Sequence, residues 1–232
     1  MSTPSEHPQA VLALAIITRH FREFPFHNLR LLFGEEAAAS IPGGTCSDKA
    51  QAFLKDARDA GLEAHLHTAL IDGEEKHRLV RLSIGGQTYF ADVGDGWPTL
   101  QLIPASHETQ FEVFGIRFRT EFRPAGLAIL NARAGREVEQ CTILAQHRSE
   151  AEITAQILRR FDGSKVYPFS GAVRFSALVD DRFLFLRGTQ LISLERNGTE
   201  KVTGFLLEDT PAIIHDYFGY RLTSESAFRV PS

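Results

Sequence analysis

Ile41-Pro42-Gly43-Gly44-Thr45-Cys46-Ser47-Asp48-Lys49-Ala50 is the stretch that decides how the chain is read. Gly43 and Gly44 permit a tight backbone turn. Thr45 or Ser47 can cap the start of a helix. From Asp48 to Ala60 the apolar residues Ala50, Phe53, Leu54 and Ala57 recur at helical spacing, and Gly61 is a fitting stop. Cys46 thus stands just ahead of an expected helix. The partial positive charge and unsatisfied amides there stabilise a thiolate, whose pKa at such sites falls to roughly 3.5–7.5. Taken alone, Cys46 is either a nucleophile or a small buried apolar residue, as most lone cysteines are.

A nucleophilic thiol needs a base. After Gly61 the pattern changes to a period of two. Leu62, Ala64, Leu66, Thr68 and Leu70 alternate with Glu63, His65, His67 and Ala69, a half-buried strand ended by Asp72-Gly73. His77–Ile84 and Gln87–Val93 flank Gly85-Gly86, a pair suited to a two-residue hairpin turn. With that turn Ile84 faces Gln87 and Leu82 faces Tyr89, so His77 and Asp92 share a face as diagonal neighbours. Such positions lie about 7–8 Å apart, within reach of an imidazole and a carboxylate. A one-residue slip would separate them. Singly, His77 reads as an exposed residue at a strand start and Asp92 as a turn residue. Together they supply a base and the acid that orients it, leaving one ring nitrogen for Cys46.

The remaining elements complete an α+β order rather than the alternation of a parallel doubly wound sheet. Residues 8–20 read as a helix burying Val11, Leu12, Ala15 and Ile16, ended by Phe24-Pro25. An extended apolar connector is expected through Leu29, Leu31, Leu32 and Phe33. Phe111–Phe122 reads as extended with a turn or bulge at Gly115, and Cys141–Ala145 as a short apolar strand. Ser149-Glu150-Ala151-Glu152 is a capping box before Ile153, Ile157, Leu158 and Phe161, with Gly163 following. Short strands fill 173–207, and a last helix starts near Pro211 and stops at Gly219.

Composition excludes several classes. The 25 basic and 29 acidic residues of this 232-residue chain give a net charge of −4. With no dense Lys/Arg run, phosphate-directed nucleic-acid binding is not expected. No apolar run approaches the ~18 residues of a membrane span, and the run from Val11 to Ile17 lacks the basic flank of a secretory signal. Two cysteines, Cys46 and Cys141, are too few for a disulfide framework and suit a reducing, cytoplasmic compartment. Cys141 reads as inert packing. His65 and His67 share a strand face, and with Cys46 or His20 would make three ligands, but the spacing matches no metal signature and a polar strand face is the simpler reading, so no metal is expected.

On these residues the chain resembles the arylamine N-acetyltransferases, which share a cysteine-protease-like core with the transglutaminase-like superfamily. Phe24-Pro25-Phe26-His27-Asn28-Leu29 is similar to the family's I-P-F-E-N-L segment, and Gly43-Gly44-Thr45-Cys46 to its R-G-G-x-C loop. His77-Arg78-Leu79 and Asp92-Val93-Gly94-Asp95-Gly96 resemble its T-H-L and D-V-G-F-G motifs. Weaker similarity continues through Arg187-Gly188-Thr189-Gln190-Leu191 and Phe218-Gly219-Tyr220-Arg221-Leu222. The resemblance implies Cys46 as nucleophile, His77 as base and Asp92 as orienting acid. It implies substrate contacts at Phe26, Gly44, Thr45, Gly94, Asp95, Gly96 and Trp97. The implied activity is acyl transfer from a thioester, an acyl-CoA such as acetyl-CoA or an acyl carrier, through a Cys46 acyl-enzyme to a small-molecule amine. No tightly bound cofactor is implied. The implied fold has a helical N-terminal part (1–61) with the nucleophile, an antiparallel β-barrel (62–186) with His77 and Asp92, and a C-terminal α/β lid (187–232).

Four positions depart from the family pattern. Pro42 replaces an Arg, Ala50 an Asn, His27 a Glu and Asp95 an aromatic residue. The first and third form a possible paired change. Asp95 near the thiol favours a cationic or polar acceptor over a flat arylamine, unless it is a solvated turn residue. Cys46-Ser47-Asp48-Lys49-Ala50 is also similar to a transglutaminase-like hydrolase loop. A cysteine hydrolase or peptidase with the same triad therefore stays open, as does a non-catalytic member of the fold.

Overall fold

Helix α1 (Pro8–Glu23) starts on proline, with the His7 ring accepting from the Gln9 amide at 3.3 Å. It ends at Phe24, whose extended backbone feeds Pro25. The computed structural model describes residues 7–133, 135–159, 167 and 169–222. The expected inward face of α1 is corrected. Ala10, Ala13, Ile16, Ile17 and Phe21 are buried, whereas Val11 is 53% and Leu12 38% exposed, and Ala15 faces solvent. Both sets have helical spacing; the large ring of Phe21 settles which face turns inward. The expected extended connector is also corrected: after β1 (Phe26–His27), Leu29–Phe33 forms a short helix, α2.

Helix α3 (Cys46–Asp59) begins two residues earlier than expected, so Cys46 is its first residue and Thr45 its cap. Ala50, Phe53, Leu54 and Ala57 pack on the outer side of an eight-stranded sheet. That sheet contains β2 (Glu63–Ile71), β3 (Glu74–Ile84), β4 (Gln87–Ala91), β5 (Ile103–Pro104), β6 (Gln110–Val113), β7 (Ile116–Arg123), β8 (Gly126–Arg133) and β9 (Arg136–Leu144). Its order is β5-β4-β3-β2-β9-β8-β7-β6, every pairing is antiparallel, and it curls into a half-barrel. The β3–β4 register is the expected one, Ile84 to Gln87 and Leu82 to Tyr89, across Gly85 (φ 57°) and Gly86 (φ 76°). Phe114 and Gly115 form the turn between β6 and β7. Strand β8 has no counterpart in the expected elements.

Helix α4 (Glu150–Leu158) starts on the expected capping box, the Glu152 carboxylate accepting from the Ser149 amide at 2.8 Å. Phe161 and Gly163, expected to end it, lie outside the described residues. A second sheet, ordered β1-β10-β11-β12-β13, joins the N-terminal strand to β10 (Arg174–Val179), β11 (Arg182–Arg187), β12 (Gln190–Glu195) and β13 (Glu200–Gly204). Helix α5 (Thr210–Phe218) packs on it through Ile214 and Phe218 and stops at Gly219, which is left-handed. No described helix is long and apolar enough to cross a membrane.

Candidate active site

The Gly43-Gly44 turn is held by the segment that precedes it. Gly44 donates to the Pro25 carbonyl at 3.1 Å and accepts from the His27 amide at 2.9 Å. A Cβ on Gly43 (φ 83°) would meet Pro25 O at 2.1 Å, and one on Gly44 (φ 135°) would meet the Asp48 carboxylate at 2.6 Å. Only glycine fits either position. Asp48 reaches back to accept from the Thr45 amide at 2.9 Å and its hydroxyl at 2.8 Å. Arg30 of α2 donates to the Gly43 carbonyl at 3.2 Å and the Ile41 carbonyl at 3.1 Å. Cys46 is thereby fixed at the positive end of α3.

Facing it, His77 of β3 and Asp92, just past β4, meet as the hairpin register requires. His77 Nε2 lies 2.8 Å from Asp92 Oδ2, with the two side chains 1% and 0% exposed. The other Asp92 oxygen accepts from the Gly94 amide at 3.1 Å. This leaves Nδ1 of His77 for the thiol. Cys46 Sγ lies 3.8 Å from the Lys76 carbonyl oxygen, beside His77 in the chain. Burial pushes the Cys46 thiol up, but the His77 imidazole and then the Arg78 backbone and charge outweigh it, so the thiol sits below its ordinary value. Burial opposes the charge on His77, yet the Asp92 carboxylate holds it well above the ordinary histidine range. Both shifts favour a thiolate–imidazolium pair.

Cys46, His77, Gly94, Asp95, Trp97 and Phe26 line one cavity of about 260 Å³. Ile71, Asp72, Asn131, Val138, Glu139, Gln140, Phe169 and Arg174 complete its wall. Gly44, Thr45 and Gly96 lie in the loops that shape it rather than on its surface. Gly96 faces the Phe26 ring, and its carbonyl accepts from Ser176 Oγ at 2.8 Å. Trp97 both lines the cavity and packs edge-on against Phe185, with centroids 4.7 Å apart and the Arg133 guanidinium over its ring.

Asp95 is half-buried. Gln140 Nε2 donates to its carboxylate, while Gln140 Oε1 accepts from Asn131 at 3.1 Å. Burial first and the charge of Asp92 second raise Asp95 to about 7. Asn131 escaped sequence reasoning because β8 did, and Gln140 because it lies just before the strand expected from Cys141. Gly126-Leu-Ala-Ile-Leu-Asn-Ala-Arg133 has one β-branched residue and no clear alternation.

The other candidates resolve as follows. His65 lies 3.4 Å from Glu150, and His67 donates to the Leu144 carbonyl at 2.8 Å. Neither joins Cys46 or His20 in a ligand set. Cys141 is buried behind the His77–Asp92 pair, within 4.8 Å of both, and burial holds its thiol well above the ordinary value. His27 stacks on Phe175 with centroids 5.7 Å apart and lies against the backbone of Ile41 and Pro42, so the first and third departures do meet in space. Sequence reasoning passed over Lys49, which is 1% exposed. Its ammonium donates to the His20 carbonyl at 3.1 Å and to that of Phe24, tying α3 to the end of α1. Its signal was a lysine inside an otherwise apolar helical face.

A thiol at a helix start, backed by a buried imidazole–carboxylate pair on an antiparallel half-barrel, defines a cysteine-nucleophile enzyme of the α+β class. A family model described as N-acetyltransferase matches residues 11–227, and the chain belongs to that family of cysteine-dependent acyltransferases. Among solved structures it is similar to the arylamine N-acetyltransferase of Mycobacterium abscessus (TM-score 0.78, 14% identity, covering 93% of this chain and 86% of that one). It is also similar to the Mycobacterium marinum enzyme in complex with CoA (0.74, 16%, 90% and 86%). A third match is the Bacillus cereus arylamine N-acetyltransferase described with a Cys-His-Glu catalytic triad (0.69, 16%, 90% and 90%). No curated protein sequence matches significantly.

Proposed function

We propose that Cys46 accepts an acyl group, acetyl first among candidates, from acetyl-CoA and passes it to a small amine. The observation that carries this reading is the 2.8 Å His77–Asp92 bond facing the start of α3 within one cavity. The Cys46 thiolate attacks the thioester carbonyl carbon, and the tetrahedral adduct collapses with the CoA sulfur leaving. His77, charged in the resting pair, gives its proton to that sulfur. In the second half the amine nitrogen attacks the Cys46 thioester, neutral His77 takes the nitrogen's proton, and the Cys46 thiolate leaves. Asp92 holds the imidazole in the required tautomer and stabilises its charged form.

For the acceptor we infer a polar or cationic amine. Three carboxylates, Asp72, Asp95 and Glu139, line the cavity against one arginine, Arg174. That lining suits a molecule with a second amino group better than a flat neutral arylamine.

Intact-protein mass spectrometry after mixing with acetyl-CoA tests the first half. A gain of one acetyl group, absent in Cys46→Ala and removed on adding amine, is expected. No adduct on the intact chain, or an adduct that persists without Cys46, overturns the reading. Cleavage of a peptide library with no adduct selects a hydrolase instead.

A further inference from the structure

The face of β3 that carries His77 continues through Leu79 to Arg81, about 13 Å further on at ~3.3 Å per residue. Leu79 is fully buried between them. Around Arg81 the half-barrel opens into a second cavity of about 350 Å³, lined by residues of six of its strands and sharing none with the first. We propose that this cavity binds a small aromatic carboxylate, its carboxylate on Arg81 and its ring against Phe90 and Phe122.

Charge points to an anion. No aspartate or glutamate lines the cavity. Arg81 has no carboxylate within ion-pair distance among the described residues; its guanidinium donates to His147 Nε2 at 3.2 Å. Arg123 at the rim is answered by Glu121 at 3.5 Å and Glu139 at 3.7 Å, so Arg81 is the cation left over.

A single charge is called for rather than two. His67 is 2% exposed and its Nε2–H is spent on the Leu144 carbonyl. Burial lowers it to about 4, so it stays neutral near pH 7 and offers a lone pair, not a second cation. A phosphate dianion would lack the second partner; a carboxylate would not. Most of the remaining wall is apolar. Phe90 tilts against His67 with centroids 5.1 Å apart, and Ile143 and Leu127 also contribute. Phe122 is a large apolar side chain left 52% exposed at the rim. A guanidinium beside aromatic faces matches a flat ring bearing one carboxylate.

Calorimetric titration of the full chain with benzoate, after Cys46 has been alkylated, tests the site. Saturable one-site binding that alkylation does not change is expected, with benzamide at least about tenfold weaker. Arg81→Gln should weaken benzoate about tenfold or more, about 1.4 kcal/mol, with circular dichroism and acetyl transfer unchanged. Phe122→Ala, at an exposed position, should weaken it by a smaller factor. Absence of saturable binding, equal binding of benzamide, indifference to Arg81→Gln, or loss of binding on Cys46 alkylation would each overturn the proposal. None of these results depends on whether Cys46 is acylated by acetyl-CoA.

Discussion

Gly94 lies flat against Cys46: a Cβ on Gly94 would come within 2.6 Å of the Cys46 Cα and 2.8 Å of its Cβ. The same residue donates its amide to Asp92. One glycine therefore spaces the Cys46 thiol from the carboxylate bonded to His77. Gly94→Ala must push α3 and the loop after β4 apart, an overpacking strain of about 1–3 kcal/mol. A shift near 1 Å at reacting atoms can cost about 100-fold. The variant should fold with a lowered melting temperature and lose about 100-fold or more in acetyl transfer. Activity within a few-fold of the parent would show that the loop yields without disturbing Cys46.

The thiol is held below its ordinary value and His77 well above its own. The ion pair therefore exists between those two values and is lost by protonating sulfur at low pH or deprotonating the imidazole at high pH. Iodoacetamide should react rapidly with Cys46 at pH 6 and leave Cys141 intact. In His77→Gln the rate at Cys46 should instead rise only near pH 8.5 or above, as for an ordinary thiol. Asp92→Asn should keep the fold but lose about 1,000- to 10,000-fold in turnover, because the imidazole then takes the wrong tautomer. A pH–rate profile for His77→Gln that overlays the parent's would remove the pair from the mechanism.

Asp95, raised to about 7, gains its charge as pH climbs through that value. The preference for a diamine over a neutral arylamine of equal size should therefore grow between pH 6 and pH 8. Asp95→Asn should flatten that dependence and cost the diamine about tenfold or more, the worth of a charged hydrogen bond of roughly 1.5–3 kcal/mol. Equal kcat/KM ratios for the two amines in parent and variant at both pH values would contradict the acceptor assignment.

What the sequence revealed of the site follows from where local rules decide structure. Cys46 was legible because two glycines, a cap and an apolar stripe all converge within fifteen residues. His77 and Asp92 were legible because a two-residue turn fixes register, and register fixes faces. Asn131, Gln140 and Arg174 were not. They reach the cavity through sheet curvature and through pairings far apart in sequence, such as Phe26 with Ser176. The inward face of α1 failed for a related reason: Val11 and Leu12 satisfy helical periodicity as well as Ala13 and Ile17 do. Lys49 also breaks the usual pattern, as a buried amine held by carbonyls rather than by a contacting acid, with burial lowering it to about 7. Only the tertiary meeting of α1 and α3 accounts for it.

Asn28 offers a test of how the N-terminal segment is tied to the five-stranded sheet. It is fully buried, and its side chain donates to the Phe169 carbonyl at 2.5 Å and the Ala172 carbonyl at 2.7 Å. It also accepts from the Arg174 amide at 2.7 Å. Phe169 and Arg174 both line the Cys46 cavity, so Asn28 anchors one wall of it. Asn28→Ala strands buried backbone groups, each costing about 1–3 kcal/mol. A loss of about 3 kcal/mol or more is expected in urea unfolding, with KM for the amine rising more than the acylation rate falls. Equal losses in both half-reactions would place the defect at Cys46 itself.

His27 makes the fold sensitive to acid. Its ring is 1% exposed, and burial foremost, then the charge of Arg30, lowers it to about 3. Unfolded, it would titrate near 6.5. Between those values the unfolded chain binds a proton that the folded chain refuses, so stability rises with pH across the window and is lost as pH falls below about 6.5. At pH 5 that loss amounts to about 2 kcal/mol for His27 relative to pH 7.5. His20 and His67, each lowered to about 4 chiefly by burial, act in the same direction. His27→Phe keeps the flat ring on Phe175 and removes the titrating nitrogens. Its unfolding free energy, followed in urea from pH 7.5 to pH 5, should fall by about 2 kcal/mol less than the parent's. Parallel stability curves would mean that protonation of His27 is not linked to folding.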